Sequence, residues 1–239
     1  MYKGSYIAAS GMVVKQRQME LVSNNLANTT TFGYKQDRVS FRDVYISEIN
    51  GVQQQGDPRD MTYTDVYYTD HSEGAFQSTG NPLDVAIGGR GYFSVEGNKY
   101  TRAGNFTLDV EGYIVTKTGD KVLGSSGPIQ IQTGNVQDIQ IGSDGTISVD
   151  GTIIDTLSVV DFPDTKNVIK QGNNFFVSTD QPVESTATVN QGHIEFSNVN
   201  VIQEMVTMIE LLREYESQQK VVQAFDDATS KVTNDMARL

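Results

Sequence analysis

The sequence predicts an α+β protein in which a helix at each end of the chain packs against its counterpart while the middle of the chain folds into β-structure. Three observations carry this expectation. Apolar residues recur every seven positions at both termini, the middle alternates apolar and polar residues with period two, and glycines punctuate that middle at turn spacing. With 239 residues and 37% apolar content the chain can form one or two domains around a packed but thinly hydrophobic core.

The first helix is expected from about Ser5 to Ala27. Ile7, Val14 and Leu21 form one column and Met12, Met19 and Leu26 a second, with Val22 between them, so the apolar residues fill one broad face. Arg17, Glu20 and Asn24 lie opposite. Asn28 and the threonines at 29, 30 and 31 compete for backbone hydrogen bonds and end the helix, after which Gly33 frees the chain to turn.

A longer helix opens near the other end, where Asn200 followed by Gln203 has the form of a capping box. Val201, Met208, Tyr215, Val222, Thr229 and Met236 share one heptad position. Glu204, Leu211, Gln218, Phe225, Val232 and Leu239 share the position three later, which is the pattern of a coiled-coil-like seam. Polar Glu204, Gln218 and Thr229 interrupt the seam, and Met205, Ile209 and Leu212 widen the stripe, so this helix should touch more than one neighbour. Charge supports the pairing. Five bases against two acids give residues 1–40 a charge of +3, four bases against seven acids give residues 197–239 a charge of −3, and the middle carries −12.

From about Phe41 to Phe196 the pattern is that of strands, clearest over Gly91 to Tyr100 and Gly112 to Thr116. Glu96-Gly97, Glu111-Gly112, Asp144-Gly145 and Asp150-Gly151 supply turns. The run Asp144 to Ile147 is echoed by Asp150 to Ile153, an interval too short for a solenoid and suited to successive hairpin turns.

The net charge of −12 argues against non-specific nucleic-acid binding and against a polybasic membrane surface. No apolar run has the length of a bilayer span, and the first residues lack the apolar core of a cleaved leader, so the chain is expected to keep Met1 and not to insert into a membrane. With no cysteine there is no disulfide, thiol nucleophile or thiolate metal site. His71 and His193 are far apart with no carboxylate at ligand spacing, and Gly88 to Gly91 reads as a tight β-turn, since neither a lysine nor a helix follows. Asp226-Asp227 reads as a solvated helix face. No catalytic, cofactor or metal site is expected.

Tyr6 to Gly11, followed by Val22-Ser23-Asn24-Asn25-Leu26-Ala27-Asn28 and Gly33-Tyr34-Lys35, resembles the N-terminal signature of the bacterial flagellar rod and hook proteins. Asn81 to Ile87 with Gly91 to Phe93, Tyr100 to Phe106, and Ser197-Asn198-Val199-Asn200-Val201 running into Met208, Ile209 and Arg213 extend the resemblance over most of the chain. Within that family the short length points to a rod subunit. Residues 41–75 look too short for the extra segment of a distal rod protein, and the run from Met208 to Lys220 looks closer to a proximal one.

The resemblance implies a tube-forming domain from residues 1–40 and 197–239, and a β-rich outer domain from 41–196 with linking segments near 41–75. It further implies a structural subunit of the flagellar drive shaft that polymerises helically and transmits torque, and is not an enzyme. Its partners would be copies of itself, the other axial proteins and the flagellar type III export apparatus. Export would occur without signal cleavage to the basal-body rod crossing the periplasm and cell wall. Outer-domain contacts, around residues 53–56 and 163–192, are where the sequence departs most from the family. On this reading Ile7, Val14, Leu21 and Leu26 bury against Met208, Leu211, Tyr215, Val222, Phe225 and Val232 of the same or neighbouring subunits, and the termini of a lone chain are partly disordered. The competing class is a secreted β-rich carbohydrate-active enzyme, which would need carboxylates such as Asp84, Asp109 and Asp120 to converge.

Overall fold

The computed structural model describes residues 2–45, 60–131 and 138–236. The stretch Gln53 to Gly56, part of the 41–75 segment and Leu239 at the end of the heptad column lie outside the described residues. The architecture is α+β, with a helix at each end of a β-rich middle. The chain forms two compact units, one of residues 1–27, 37–68 and 200–239, the other of residues 28–36 and 69–199.

The first unit is a helix hairpin with a β-ribbon. Helix α1 runs Tyr2–Ala27 and helix α2 runs Val201–Met236. Strands Asp37–Tyr45 and Asp60–Thr69 pair as a two-stranded sheet. Asn200 caps α2 as its position suggests, its side-chain oxygen accepting from the amides of Ile202 at 3.1 Å and Gln203 at 3.2 Å. The helices run antiparallel: Gly4 faces Phe225, Gly11 faces Gln218, Lys15 Nζ reaches Glu214 at 2.5 Å, and Asn25 meets Glu204. A Cβ on Gly4 would lie 2.5 Å from the Phe225 ring and one on Gly11 2.9 Å from the Gln218 amide, so glycine sets how closely the helices approach. Few side chains of this unit are buried: Val14, Val22, Asn25, Glu204 and Leu211 among those described.

The second unit is β-rich and densely packed. Its largest sheet has the order Val168–Gly172, Phe175–Ser178, Lys99–Thr101, Tyr92–Val95, Val159–Asp161 and Val183–Glu184, with every neighbouring pair antiparallel. Strand Tyr92–Val95 is buried throughout because both faces are covered. Phe93 points into a core with Val85, Ile87, Phe106, Ile114, Val122 and Ile147, while Tyr92, one residue earlier and so on the other face, joins Phe162, Val168 and Phe176. Glycine turns separate the strands where expected. Asp150 and Gly151 both adopt positive φ, as a tight hairpin between Thr146–Val149 and Thr152–Thr156 requires, so the echoed Asp-Gly runs mark successive turns.

Candidate functional site

In the first unit α2 has two faces. One carries the heptad columns toward α1: Leu211 is buried, and Met208, Tyr215, Val222 and Phe225 are half-buried. On α1, Val14 is buried and Leu21 and Leu26 half-buried, whereas Ile7 and, on α2, Val232 remain largely exposed. The other face of α2 exposes Ile202, Met205, Val206, Ile209 and Leu212, spaced three and four apart on one side. Isolated exposed apolar residues are ordinary, but a continuous helical stripe of five marks an interaction surface. Alongside, a shallow groove of about 690 Å³ is lined by Gln16, Met19, Glu20, Ser23, Asn24, Ala27 and Met208.

The signature residues therefore divide by task. Ser23, Asn24 and Ala27 are exposed along that groove. Asn25 is 1% exposed and bridges backbone, donating to the Asp37 carbonyl at 2.9 Å and accepting from the Asp37 amide at 3.0 Å. Asn200 caps its helix.

The remaining signature residues fold the second unit. Asn28 accepts from the Thr31 amide at 3.2 Å, closing the turn that follows α1. Gly33 has φ of 66° and lies against the backbone of Arg102 and Ala103, where a Cβ would come within 2.4 Å. Tyr34 is buried with Lys170 Nζ 3.8 Å from its ring centroid. Asn198 accepts from the Gln36 amide at 2.7 Å and donates to the Asp70 carbonyl at 2.8 Å, tying three distant segments together.

Beside them lies a buried ionic cluster. Lys35 and Glu195 are fully buried and Arg102 is 3% exposed. Lys35 Nζ donates to Glu195 Oε1 at 2.5 Å and to the Ser72 carbonyl at 2.6 Å. Arg102 donates to Glu195 Oε2 at 3.2 Å and to the carbonyls of Ile87 and Gly89 at 3.1 and 2.6 Å. Burial pulls the Lys35 pKa below its ordinary value against the opposing pull of Glu195. His71, hydrogen-bonded through Nδ1 to the Tyr92 hydroxyl at 2.7 Å, is lowered to about 4 by burial and then by Lys35, Lys170 and Arg102, with Asp70 opposing. Burial raises the Tyr92 pKa. The Lys35 ammonium, the Arg102 Nη atoms and the Glu195 carboxylate bond backbone carbonyls, an amide or one another, which is the arrangement of a structural clamp, while Arg102 Nε is buried without a hydrogen-bond partner among the described residues.

Sequence reasoning missed Glu195 and gave Arg102 no role. The available signal was slight: a lone glutamate between two apolar residues, Ile194 and Phe196. The carboxylates that glycan hydrolysis would need are each occupied by hydrogen bonds of their own. Asp84 accepts from Thr79 and Asn81, Asp109 from the amides of Glu111 and Tyr113, and Asp120 from Lys99 and Thr118. Among the described residues, no group of three or more His, Asp or Glu side chains is placed to hold a metal ion, and no helix is long and apolar enough to cross a membrane.

A helix hairpin with an uncovered apolar stripe, joined to a β-rich unit whose signature residues serve folding, defines a structural subunit built to assemble. Comparison with known proteins makes this specific. Residues 6–35 match the family described as flagella basal body rod protein, residues 86–149 the flagellar hook protein FlgE/F/G D1 domain, and residues 190–236 the flagellar basal body rod FlgEFG protein C-terminal family. The flagellar basal-body rod protein FlgG of Bacillus subtilis is 33% identical over 98% of this chain and 99% of its own length. The rod proteins FlgF of Caulobacter vibrioides and Rhizobium meliloti are 30% and 32% identical over 91% of this chain and 91% and 90% of theirs. The chain belongs to the family of bacterial flagellar basal-body rod proteins, and is a structural subunit of the rod in the flagellar basal body.

Proposed function

We propose that this subunit polymerises helically with copies of itself and with rod and hook neighbours, and so carries torque from motor to hook. The observation that carries the reading is the uncovered stripe Ile202, Met205, Val206, Ile209 and Leu212 beside the groove lined by Ser23, Asn24 and Ala27. Neighbouring subunits covering that stripe would contribute about 1.5–3 kcal/mol per well-buried side chain. A contact between unlike patches repeats without closing and so builds a tube or filament. The seam residues Ile7, Val14, Leu21, Leu26, Met208, Leu211, Tyr215, Val222, Phe225 and Val232 then serve the helical layer of that tube, and passage through the flagellar type III export apparatus delivers the chain to it.

The short 41–75 segment favours a place in the proximal rod. The FlgG relative matched along 98% of this chain favours the distal rod as the second reading. Deleting residues 200–239 should abolish rod incorporation and swimming, and locating the subunit's density in an intact basal body decides between the two positions. Motile cells carrying the deletion would overturn the assembly reading.

A further inference from the structure

Gly4, Gly11, Gln18 and Asn25 stand seven residues apart on α1, and Phe225, Gln218, Leu211 and Glu204 stand seven apart in the opposite sense on α2. The contacts Gly4 to Phe225, Gly11 to Gln218 and Asn25 to Glu204 lay these columns face to face. The same register sets Gln18 level with Leu211. Glycine and amide side chains thus occupy the line that an apolar seam would fill.

Two of the amides leave their acceptor unpaired. The Oε1 atoms of Gln18 and Gln218 are buried with no hydrogen-bond partner among the described residues. A buried amide oxygen without a donor keeps the full cost of leaving water. Leucine has nearly the same volume and would carry no such cost. A buried polar residue can specify helix register, but it does so by bonding a polar partner, and these oxygens have none.

We propose that Gln18 and Gln218 hold the α1–α2 hairpin close to its opening point, so that the helices part and pair again while the second unit stays folded. The proposal rests on the reading of the chain as an assembling subunit, because parting frees the seam for helices of neighbouring copies. Regions with few buried apolar side chains open at lower free energy than dense cores, and the buried residues of this unit are few.

The test is hydrogen exchange on the full chain, comparing wild type with Gln18→Leu, Gln218→Leu and the double variant. Removing one orphaned oxygen should slow exchange across residues 11–22 and 208–222 by about tenfold, and the double variant should slow it further. Amides of the strand Tyr92–Val95 should exchange as before. The double variant should swim poorly. Unchanged or faster exchange in the leucine variants overturns the proposal, as does slowed exchange with wild-type swimming. Motility without residues 200–239 would instead overturn the assembly reading and leave the exchange result standing, so the two failures are distinguishable.

Discussion

The two units solve the problem of stability in opposite ways. The β-rich unit closes its main strand on both faces, with Phe93 in one aromatic and aliphatic core and Tyr92 in the other, and ties its chain ends with a fully buried Lys35–Glu195 pair. Among the described residues the helix hairpin buries Val14, Val22, Leu211 and two polar side chains, and leaves the five-residue apolar stripe of α2, with Val201, Val221 and Val232 besides, in solvent. In proteins most helical stability comes from packing of the amphipathic face, and much of that face on the 36-residue α2 has no cover within the chain. One unit is therefore complete in a single chain, and the other is finished by what packs against it.

The most damaging way to break this contrast is to leave charge unpaired in the complete unit. Glu195→Gln removes the carboxylate that bonds both Lys35 and Arg102 and strands two buried cations. The expected loss is about 3–4 kcal/mol. Replacing the set together, Lys35→Met with Glu195→Leu and Arg102→Met, should recover at least half of that loss, since three apolar side chains carry no desolvation cost. Denaturant unfolding of the three proteins checks both statements. A single variant within about 1 kcal/mol of wild type would show that the cluster does not clamp the fold.

A smaller effect comes from pH. His71 is lowered to about 4 in the folded chain from an ordinary 6.5, first by burial and then by Lys35, Lys170 and Arg102. Above pH 6.5 it is neutral whether the chain is folded or unfolded, and contributes no pH dependence. As pH falls from 6.5 toward 4, the unfolded chain takes the proton before the folded one does, so stability declines through that window and levels off below it. Partial solvent screening reduces the loss to about 2 kcal/mol. His71→Gln should flatten the decline in that window relative to wild type, and parallel pH profiles for the two proteins would contradict it.

How much of this was legible in the sequence follows from the range of each interaction. Helix ends, the Asn200 cap and the Asp150-Gly151 hairpin depend on residues within a turn of one another, so spacing alone exposes them. The seam was legible in part. Val14, Leu211 and Phe225 are placed by their heptads, but the column of Gly4, Gly11, Gln18 and Asn25 offers no apolar signal, and Ile7, which the heptads put in the seam, stays exposed. The clamp was not legible at all. Lys35, Arg102 and Glu195 meet from three separated segments, and no periodicity links them. The close approach of Gly104, where a Cβ would lie 1.6 Å from the Val85 carbonyl oxygen, likewise exists only once those strands are assembled.

The smallest effect on the isolated chain sharpens the comparison most. Ile209 is 51% exposed on the face of α2 that carries the uncovered stripe. Ile209→Asp removes no packed contact from a core and places a carboxylate in water, so thermal unfolding of the lone chain should move by no more than about 0.5 kcal/mol. In an assembled tube the same carboxylate would be buried without a partner, a cost large enough to exclude the subunit. The expected outcome is a folded protein with wild-type melting behaviour that fails to enter basal bodies and does not restore swimming. Were the variant to unfold more readily instead, the stripe would already be covered within one chain and the hairpin would need no neighbour. A folded variant that still swims would move the assembly surface off this face of α2. Only a residue that is idle in the single chain and indispensable in the assembly separates the unit that is finished from the unit that is not.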